Sequence, residues 1–266
     1  MKIALSLEYN GTHFHGWQSQ SSGRCVQTEV ERAISTVAAH PVTVVCAGRT
    51  DAGVHALQQI IHFETSATRS MRSWAMGANS VLPHDISVHW ACEMSDHFSA
   101  RYSAIARTYQ YVIYNYPMRP GVFHGQVSWY FYPLDITRMQ AAADYLIGEH
   151  DFNAYRAQGC QSRSSVREVH SIDLKRVGHE IIVTIKANAF LYHMVRNIIG
   201  VLLQIGRGDQ APIWAKEVLE SRRRVEAGVT ASPYGLYLMQ VDYPPEFTLP
   251  NPGHFTYHSR ICGEAG

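Results

Sequence analysis

The sequence predicts an α+β protein: two ferredoxin-like (RRM-like) lobes sharing a mainly antiparallel sheet flanked by helices. Three observations carry that expectation. In the first half, segments of period two and period 3.6 follow one another as β-α-β-β-α-β, the split βαβ order. The second half repeats that order loosely. Hydrophobic residues make up 46% of the 266 positions and charged residues 17%, a balance that supports packed cores rather than disorder.

Residues 3–9 alternate as a strand, and Asn10-Gly11-Thr12 turns the chain. Val26, Val30, Ala33, Ile34 and Val37 recur at the spacing of one helical face over residues 26–39, and Pro41 ends that helix. Residues 42–47 are rich in β-branched side chains and read as a buried strand that runs straight into the loop 48–53. A further strand follows at 58–63, then a helix at 71–79 that stops before Pro83, then a strand at 86–92. In the second half, Tyr109, Tyr111 and Ile113 alternate in a strand over 108–114. Residues 136–147 form an amphipathic helix with Asp135 as its cap. An antiparallel pair at 171–175 and 180–186 surrounds Val177-Gly178-His179. A strongly apolar helix at 193–205, a shorter one at 214–220 and a closing strand at 235–241 complete the order. With no low-complexity segment and no flexible linker, the expected division is an N-terminal lobe at 1–100, a C-terminal lobe at 101–245 and an irregular, Pro-rich tail at 246–266.

Composition narrows the function classes. No run of about 18 apolar residues is present, which argues against a membrane-spanning helix. The opening Met1-Lys2-Ile3-Ala4-Leu5 is charged too soon for a signal peptide, so a cytoplasmic location is expected. Five cysteines (Cys25, Cys46, Cys92, Cys160 and Cys262) are an odd number without CxxC spacing. That pattern fits neither a disulfide framework nor a zinc site, and no metal is expected. The net charge is only +1 with the 15 histidines counted neutral. Nucleic-acid binding depends on where charges sit rather than on their sum; Arg156, Arg163, Arg167, Lys175 and Arg176 fall close together, as do Arg222, Arg223 and Arg224.

The most informative stretch is Cys46-Ala47-Gly48-Arg49-Thr50-Asp51-Ala52-Gly53-Val54-His55. Two glycines bracket an Arg and an Asp on a loop that follows an apolar strand. Glycine lets a backbone turn tightly or lie against a ligand, so such a loop can present a carboxylate on a rigid base. Spacing alone leaves open an Asp that merely serves its own turn. The loop lacks the GxxxxGK[ST] and GxGxxG patterns, so it is not a phosphate cradle of either kind.

This run resembles the GRTDAGVHA signature of the bacterial tRNA pseudouridine synthase A family, and four further stretches match that family in its order. Phe14-His15-Gly16-Trp17-Gln18-Ser19-Gln20 is similar to its YxGWQxQ element. Ala106-Arg107-Thr108-Tyr109-Gln110-Tyr111 is similar to its RxYxY strand. The run from Lys186-Ala187-Asn188-Ala189-Phe190 through His193-Met194-Val195-Arg196-Asn197 resembles its KANAFxxHMVRN segment. Gly235-Leu236-Tyr237-Leu238 resembles its closing GLYL. The likeness covers about residues 2–245.

The resemblance implies isomerisation of uridine to pseudouridine at positions 38, 39 and 40 of the tRNA anticodon stem-loop, with no cofactor. It implies a homodimer across which one tRNA reaches. By matched position, Asp51 is the nucleophile and Tyr109 stacks on the target uracil. Arg196 pairs with the catalytic carboxylate. Arg49 holds the RNA backbone or fills the space of a flipped nucleotide, and Leu236 lies against the base. Independently of the family, an Arg inside an apolar helix such as Arg196 needs a partner if buried. Tyr111 reads as core or support. His15, Trp17 and Gln18 line an RNA-contacting loop, or else Trp17 and Phe14 anchor that loop to the domain. Thr108 and Gln110 stand where relatives often carry arginine, so fewer phosphate contacts are expected along that strand.

Two other readings compete. A non-catalytic RNA-binding module with ferredoxin-like lobes would bind through sheet aromatics, but Asp51 on an RNA-facing loop would repel phosphate. A hydrolase using Asp51 with His55 would need a second acid or base in reach.

Overall fold

The computed structural model of the chain describes residues 1–250. They form two compact units, one of Met1–Ile105 together with the chain from Leu238 onward, the other of Ala106–Tyr237.

The first unit begins with β1 (Lys2–Tyr9) and a 3-10 turn at Gly11–His13, whose cap Asn10 accepts from the Thr12 N–H. It continues through α1 (Val26–Ala38), β2 (Val45–Cys46), β3 (His55–Glu64), α2 (Met71–Val81) and β4 (Ile86–Met94). The strands lie in the order β4-β1-β3, with β2 paired to β3, and every pairing is antiparallel. Leu5 of the central strand faces Ile61 on one side and Ala91 on the other. Being central, β1 is buried along nearly its whole length. Of the expected helical face, α1 buries Val26, Val30, Ala33 and Ile34, while Val37 is half-buried and Ala38 is buried beside it. Trp74 of α2 seals the other helix against the sheet, edge-on to Phe63 at 5.2 Å.

The expected strand at 42–47 shrinks to the two residues of β2. Val42 and Val44 are buried as foreseen, yet their backbone N–H groups find side chains of α1 instead of a ladder: Val42 donates to Ser35 Oγ at 2.9 Å and Val44 to Glu31 Oε1 at 3.0 Å. A β-rich composition records burial here, and the backbone's hydrogen bonds go elsewhere.

The second unit contains β5 (Ala106–Asn115), β6 (Ser128–Tyr130), α3 (Ile136–Ala143), β7 (Gly148–Asp151), β8 (Val166–Val177), β9 (Glu180–Ala187), α4 (Met194–Arg207) and α5 (Trp214–Ser221). Its ladder runs β5-β9-β8-β7, all antiparallel, and β6 adds to β5 in parallel. In chain order β5, α3, β8, β9 and α4 reproduce the β-α-β-β-α pattern of the first unit, so the α+β class with mainly antiparallel sheets flanked by helices holds. The Asp135 carboxylate caps α3 by accepting from the N–H groups of Thr137 and Arg138. That helix stops at Ala143, short of the expected 147, and tightens into a 3-10 turn at Asp144–Leu146.

The closing strand β10 (Leu236–Asp242) starts in the second unit and ends in the first. The expected lobe of 101–245 therefore differs from the second unit at its C-terminal end. The reason is local: Val241 N–H donates to Gln58 Oε1, Tyr243 Oη donates to the Ala100 carbonyl, and Ile105 N–H donates to the Asp242 carbonyl. Residues 246–250 of the expected irregular tail carry no helix or strand, and the rest of that tail lies outside the described residues.

Candidate active site

In the first unit, the loop between β2 and β3 carries Arg49 and Asp51. Arg49 is exposed and Asp51 half-buried, while their neighbours Thr50, Gly53, Val54 and His55 are buried. Hydrogen bonds to several elements fix the loop and its neighbours. Ala47 N–H donates to the Ile60 carbonyl at 2.8 Å. The Gln59 carboxamide spans Gly48, donating to its carbonyl at 2.5 Å and accepting from its N–H at 3.3 Å. The Thr50 hydroxyl lies 2.7 Å from the Tyr9 hydroxyl, and the Thr50 carbonyl accepts from the Trp17 N–H at 3.0 Å. Gly53 N–H donates to the Phe14 carbonyl at 3.2 Å, and Val54 N–H to the Asp51 carbonyl at 3.1 Å. His55 Nδ1 accepts from the Gly11 N–H at 3.0 Å. These bonds brace the loop that carries Asp51 and Arg49.

The segment at residues 14–17 is the buttress of this loop. Gly16 sits at φ +90°, and a Cβ there would stand 2.7 Å from the Thr50 carbonyl oxygen. Only glycine allows both the left-handed backbone and that approach. Trp17, 1% exposed, packs near Tyr9 at 6.1 Å between ring centroids. Of the two roles open to it in the sequence, the anchor is the one observed. Phe14 is also buried, with the Arg24 guanidinium 4.2 Å above its ring.

Two alternative nucleophile arrangements fare poorly. Burial pushes the Cys46 thiol up to about 12, although Arg49 and Arg101 favour its thiolate. His55, buried beneath the loop with Nδ1 committed to Gly11, is a structural histidine.

In the second unit, Tyr109 of β5 is nearly buried and meets the Phe190 ring edge-to-face at 4.9 Å and 82°. Tyr111, two residues on, is fully buried and donates from its hydroxyl to the Ser232 carbonyl at 2.8 Å. Burial pushes its phenol up, opposed by the Ser128 hydrogen bond and the charge of Arg196. Arg196, in the first turn of α4, donates from Nε to the Ala231 carbonyl at 2.8 Å, and Ala231 N–H returns a bond to the Arg196 carbonyl at 3.1 Å. Gly200, one turn further, makes room for this crossing: a Cβ there would lie 1.9 Å from the Val229 carbonyl oxygen. The crossing segment leads to Leu236, whose N–H donates to the Pro233 carbonyl at 2.9 Å and whose side chain is buried.

Behind Arg196, Asn197 is wholly buried. It donates to the Tyr155 carbonyl at 2.8 Å and accepts from Arg224 at 3.0 Å and Thr230 at 2.7 Å. These bonds fix the far side of the helix that carries Arg196. Asp51 and Arg49 therefore share one loop of the first unit, while Tyr109, Arg196 and Leu236 belong to the second. Sequence reading missed the residues that hold them: Tyr9, Thr50, Gln59 and Asn197. Asn197 left a trace, as a polar residue at a core position of a strongly apolar helix.

The family model for tRNA pseudouridine synthase matches residues 5–103 and 142–244 of this chain. The chain belongs to the tRNA pseudouridine synthase family. A tRNA pseudouridine synthase A of Coxiella burnetii (strain Dugway 5J108-111) is 53% identical over 249 residues, covering 94% of this chain and 95% of that protein. That of Vibrio atlanticus (strain LGP32) is 53% identical over 250 residues, covering 94% and 95%. That of Alcanivorax borkumensis is 52% identical over 251 residues, covering 94% of each. Both matched stretches of the family model include candidate site residues, Asp51 and Arg49 in the first, Arg196 and Leu236 in the second.

Proposed function

We propose that this chain isomerises uridine to pseudouridine in transfer RNA, at positions 38, 39 and 40 of the anticodon stem-loop, with Asp51 as nucleophile. The observation that carries the reading is the braced loop of the first unit, which presents a carboxylate beside an arginine in a chain about half identical to synthases of that name.

The chemistry asks for little else. The N1–C1′ glycosidic bond breaks, the uracil turns over, and a C5–C1′ bond forms; C5 gives up a proton and N1 gains one. Nothing is oxidised and no group leaves, so the reaction itself needs neither metal nor organic cofactor. An ionised carboxylate can add to the substrate and depart again. Tyr109, on its strand with Phe190 against its edge, is suited to receive a base taken out of its stack. Arg196 takes the place of the arginine that pairs with the catalytic carboxylate in the family this chain resembles. Leu236 offers an apolar contact to the base, and Arg49 an exposed cation for the RNA backbone. As in the family it resembles, the chain works as a cytoplasmic homodimer with one tRNA reaching across both subunits. No helix among the described residues is long and apolar enough to cross a membrane.

The non-catalytic RNA-binding reading gains nothing from a half-buried carboxylate on a braced loop. Pseudouridine mapping on tRNA incubated with the purified protein decides between the two. Product is expected at positions 38 to 40 with the native chain and none with Asp51→Ala, whose tRNA affinity stays within roughly tenfold. Product formed by Asp51→Ala would overturn the assignment of the nucleophile, and product at other uridines the assignment of positions.

A further inference from the structure

In the second unit, the loop joining the 3-10 turn Phe152–Tyr155 to β8 gathers three arginines on a serine-rich backbone. Arg167 donates to the Ser162 hydroxyl at 2.7 Å and to the carbonyls of Ser164 and Val166 at 3.1 and 2.5 Å. Arg156 reaches the Ser162 carbonyl at 3.5 Å. Arg163 and Ser164 stand exposed on the rim of this loop.

The charges of this loop are not balanced by carboxylates. Arg24, Arg32, Arg207, Arg222 and Arg223 each pair with an acidic side chain. Arg156, Arg163 and Arg167 pair with none among the described residues. The carboxylates that flank the loop are engaged elsewhere: Asp151 by Ser165, Asn153 and Arg222, and Glu168 by His170 Nε2 at 3.8 Å. Burial disfavours the charge of Arg167, Cys160 opposes this and Arg156 adds to it, and Arg167 Nε is buried without a hydrogen-bond partner. Like charges held together by backbone carbonyls carry a standing electrostatic cost that an anion would remove. A guanidinium presents its donors in a fork that matches two phosphate oxygens, and serine hydroxyls add further donors.

The loop is tied to the elements that carry the proposed site residues of this unit. Ala157 N–H donates to the carbonyl of Tyr192, just before α4. Asn188 and Glu168 exchange hydrogen bonds at the start of β8, and the Asn188 carbonyl accepts from Arg107 of β5. We propose that Arg156, Arg163 and Arg167, with the Ser164 hydroxyl, form a clamp for backbone phosphates of the tRNA. It contributes affinity and register, not chemistry. The inference rests on tRNA being the substrate, and is indifferent to which uridines are isomerised.

Arg163 is the residue to vary, because it is exposed and its removal leaves the hydrogen bonds that close the loop intact. Binding of Arg163→Ala and Arg163→Glu is measured across a salt series on two transcripts, the substrate tRNA and one with cytidine at the modified uridines. Affinity falls several-fold for Ala and further for Glu, equally for both transcripts. The slope of log affinity against log salt becomes shallower by about one for Ala. The single-turnover rate at saturating tRNA stays at the native value. An unchanged slope and affinity in Arg163→Glu would overturn the clamp, as would a loss confined to the uridine-bearing transcript or a fall in the saturating rate alone. If the loop were instead a pocket for free phosphate, inorganic phosphate would compete beyond chloride at equal ionic strength while Arg163→Glu left the tRNA slope unaltered; that too overturns it. Failure of the native chain to form pseudouridine would strike the proposed function, and the salt slopes would still test the clamp.

Discussion

Gln59 holds Gly48 by both of its backbone groups, one carboxamide closing on the N–H and the carbonyl at the root of the Asp51 loop. A buried glutamine is otherwise costly. Its retention fits a role in aiming the loop. Replacing it by leucine of similar reach leaves two polar backbone groups without their partner, a destabilisation of about 2 kcal/mol. Turnover of Gln59→Leu is expected to fall about tenfold while tRNA affinity stays near native, because the loop loosens without losing a cation. Denaturant melts and single-turnover rates measure the two effects. Native turnover in a destabilised Gln59→Leu would show that Tyr9 and Trp17 aim Asp51 unaided.

Gly16 offers a separate handle on the same loop. In Gly16→Ala the new methyl meets the Thr50 carbonyl oxygen at 2.7 Å on a backbone held at φ +90°. The left-handed conformation alone costs about 1–2 kcal/mol, and the contact must also displace Thr50 and with it Asp51. Gly178→Ala is the control, since Gly178 lies at φ +56° with open space around its Cβ position. Both variants should lose stability by thermal melting, but only Gly16→Ala should lose turnover. Equal turnover in the two would detach the buttress from catalysis.

The legible part of this protein was its periodicity and its motifs. The helical face of residues 26–39 and the alternation around Tyr109 each placed an element within a few residues of its observed bounds. The strand expected at 42–47 shortens to Val45–Cys46 because Ser35 and Glu31 of the preceding helix capture backbone N–H groups, which the apolar pattern does not report. β6 and β7 are too short to build a pattern of their own. The division of β10 between units depends on partners such as Gln58, far away in sequence. For the site the limit was similar: motif resemblance singled out Asp51, Tyr109 and Arg196, while Gln59 and Asn197, which brace two of those elements, show their role only through partners.

Asn197 is the brace of the second unit. Its side chain satisfies the Tyr155 carbonyl, the Thr230 hydroxyl and part of the Arg224 guanidinium. Burial already pulls the Arg224 guanidinium below its ordinary value, so a charge there tolerates little further loss of partners. Asn197→Leu is expected to cost about 2 kcal/mol, since the buried Tyr155 carbonyl and the half-buried Arg224 and Thr230 each lose a bond. A fall of several degrees in melting temperature checks it. A Leu variant as stable as the native chain would mean that Arg224 and Thr230 satisfy one another.

His62 makes the first unit sensitive to acid. It is buried on β3, accepts the Ala100 N–H at Nδ1, and packs edge-on to Phe98 at 6.0 Å. Burial lowers its affinity for a proton and the charge of Lys2 lowers it further, with Glu64 opposing both. Its folded value therefore lies below the ordinary histidine value of about 6.5 that applies in the unfolded chain. Below about 6.5 the unfolded state binds more protons at this site. The stability that neutral His62 contributes is full above that pH and is lost as pH falls toward the folded value. His62→Asn keeps an acceptor for Ala100 but does not titrate. Its stability, measured by denaturant melts between about pH 7 and pH 5, should decline less steeply than that of the native chain, the remaining histidines contributing alike to both. Parallel declines would show that protonated His62 is accommodated in the fold and that other groups set the acid response.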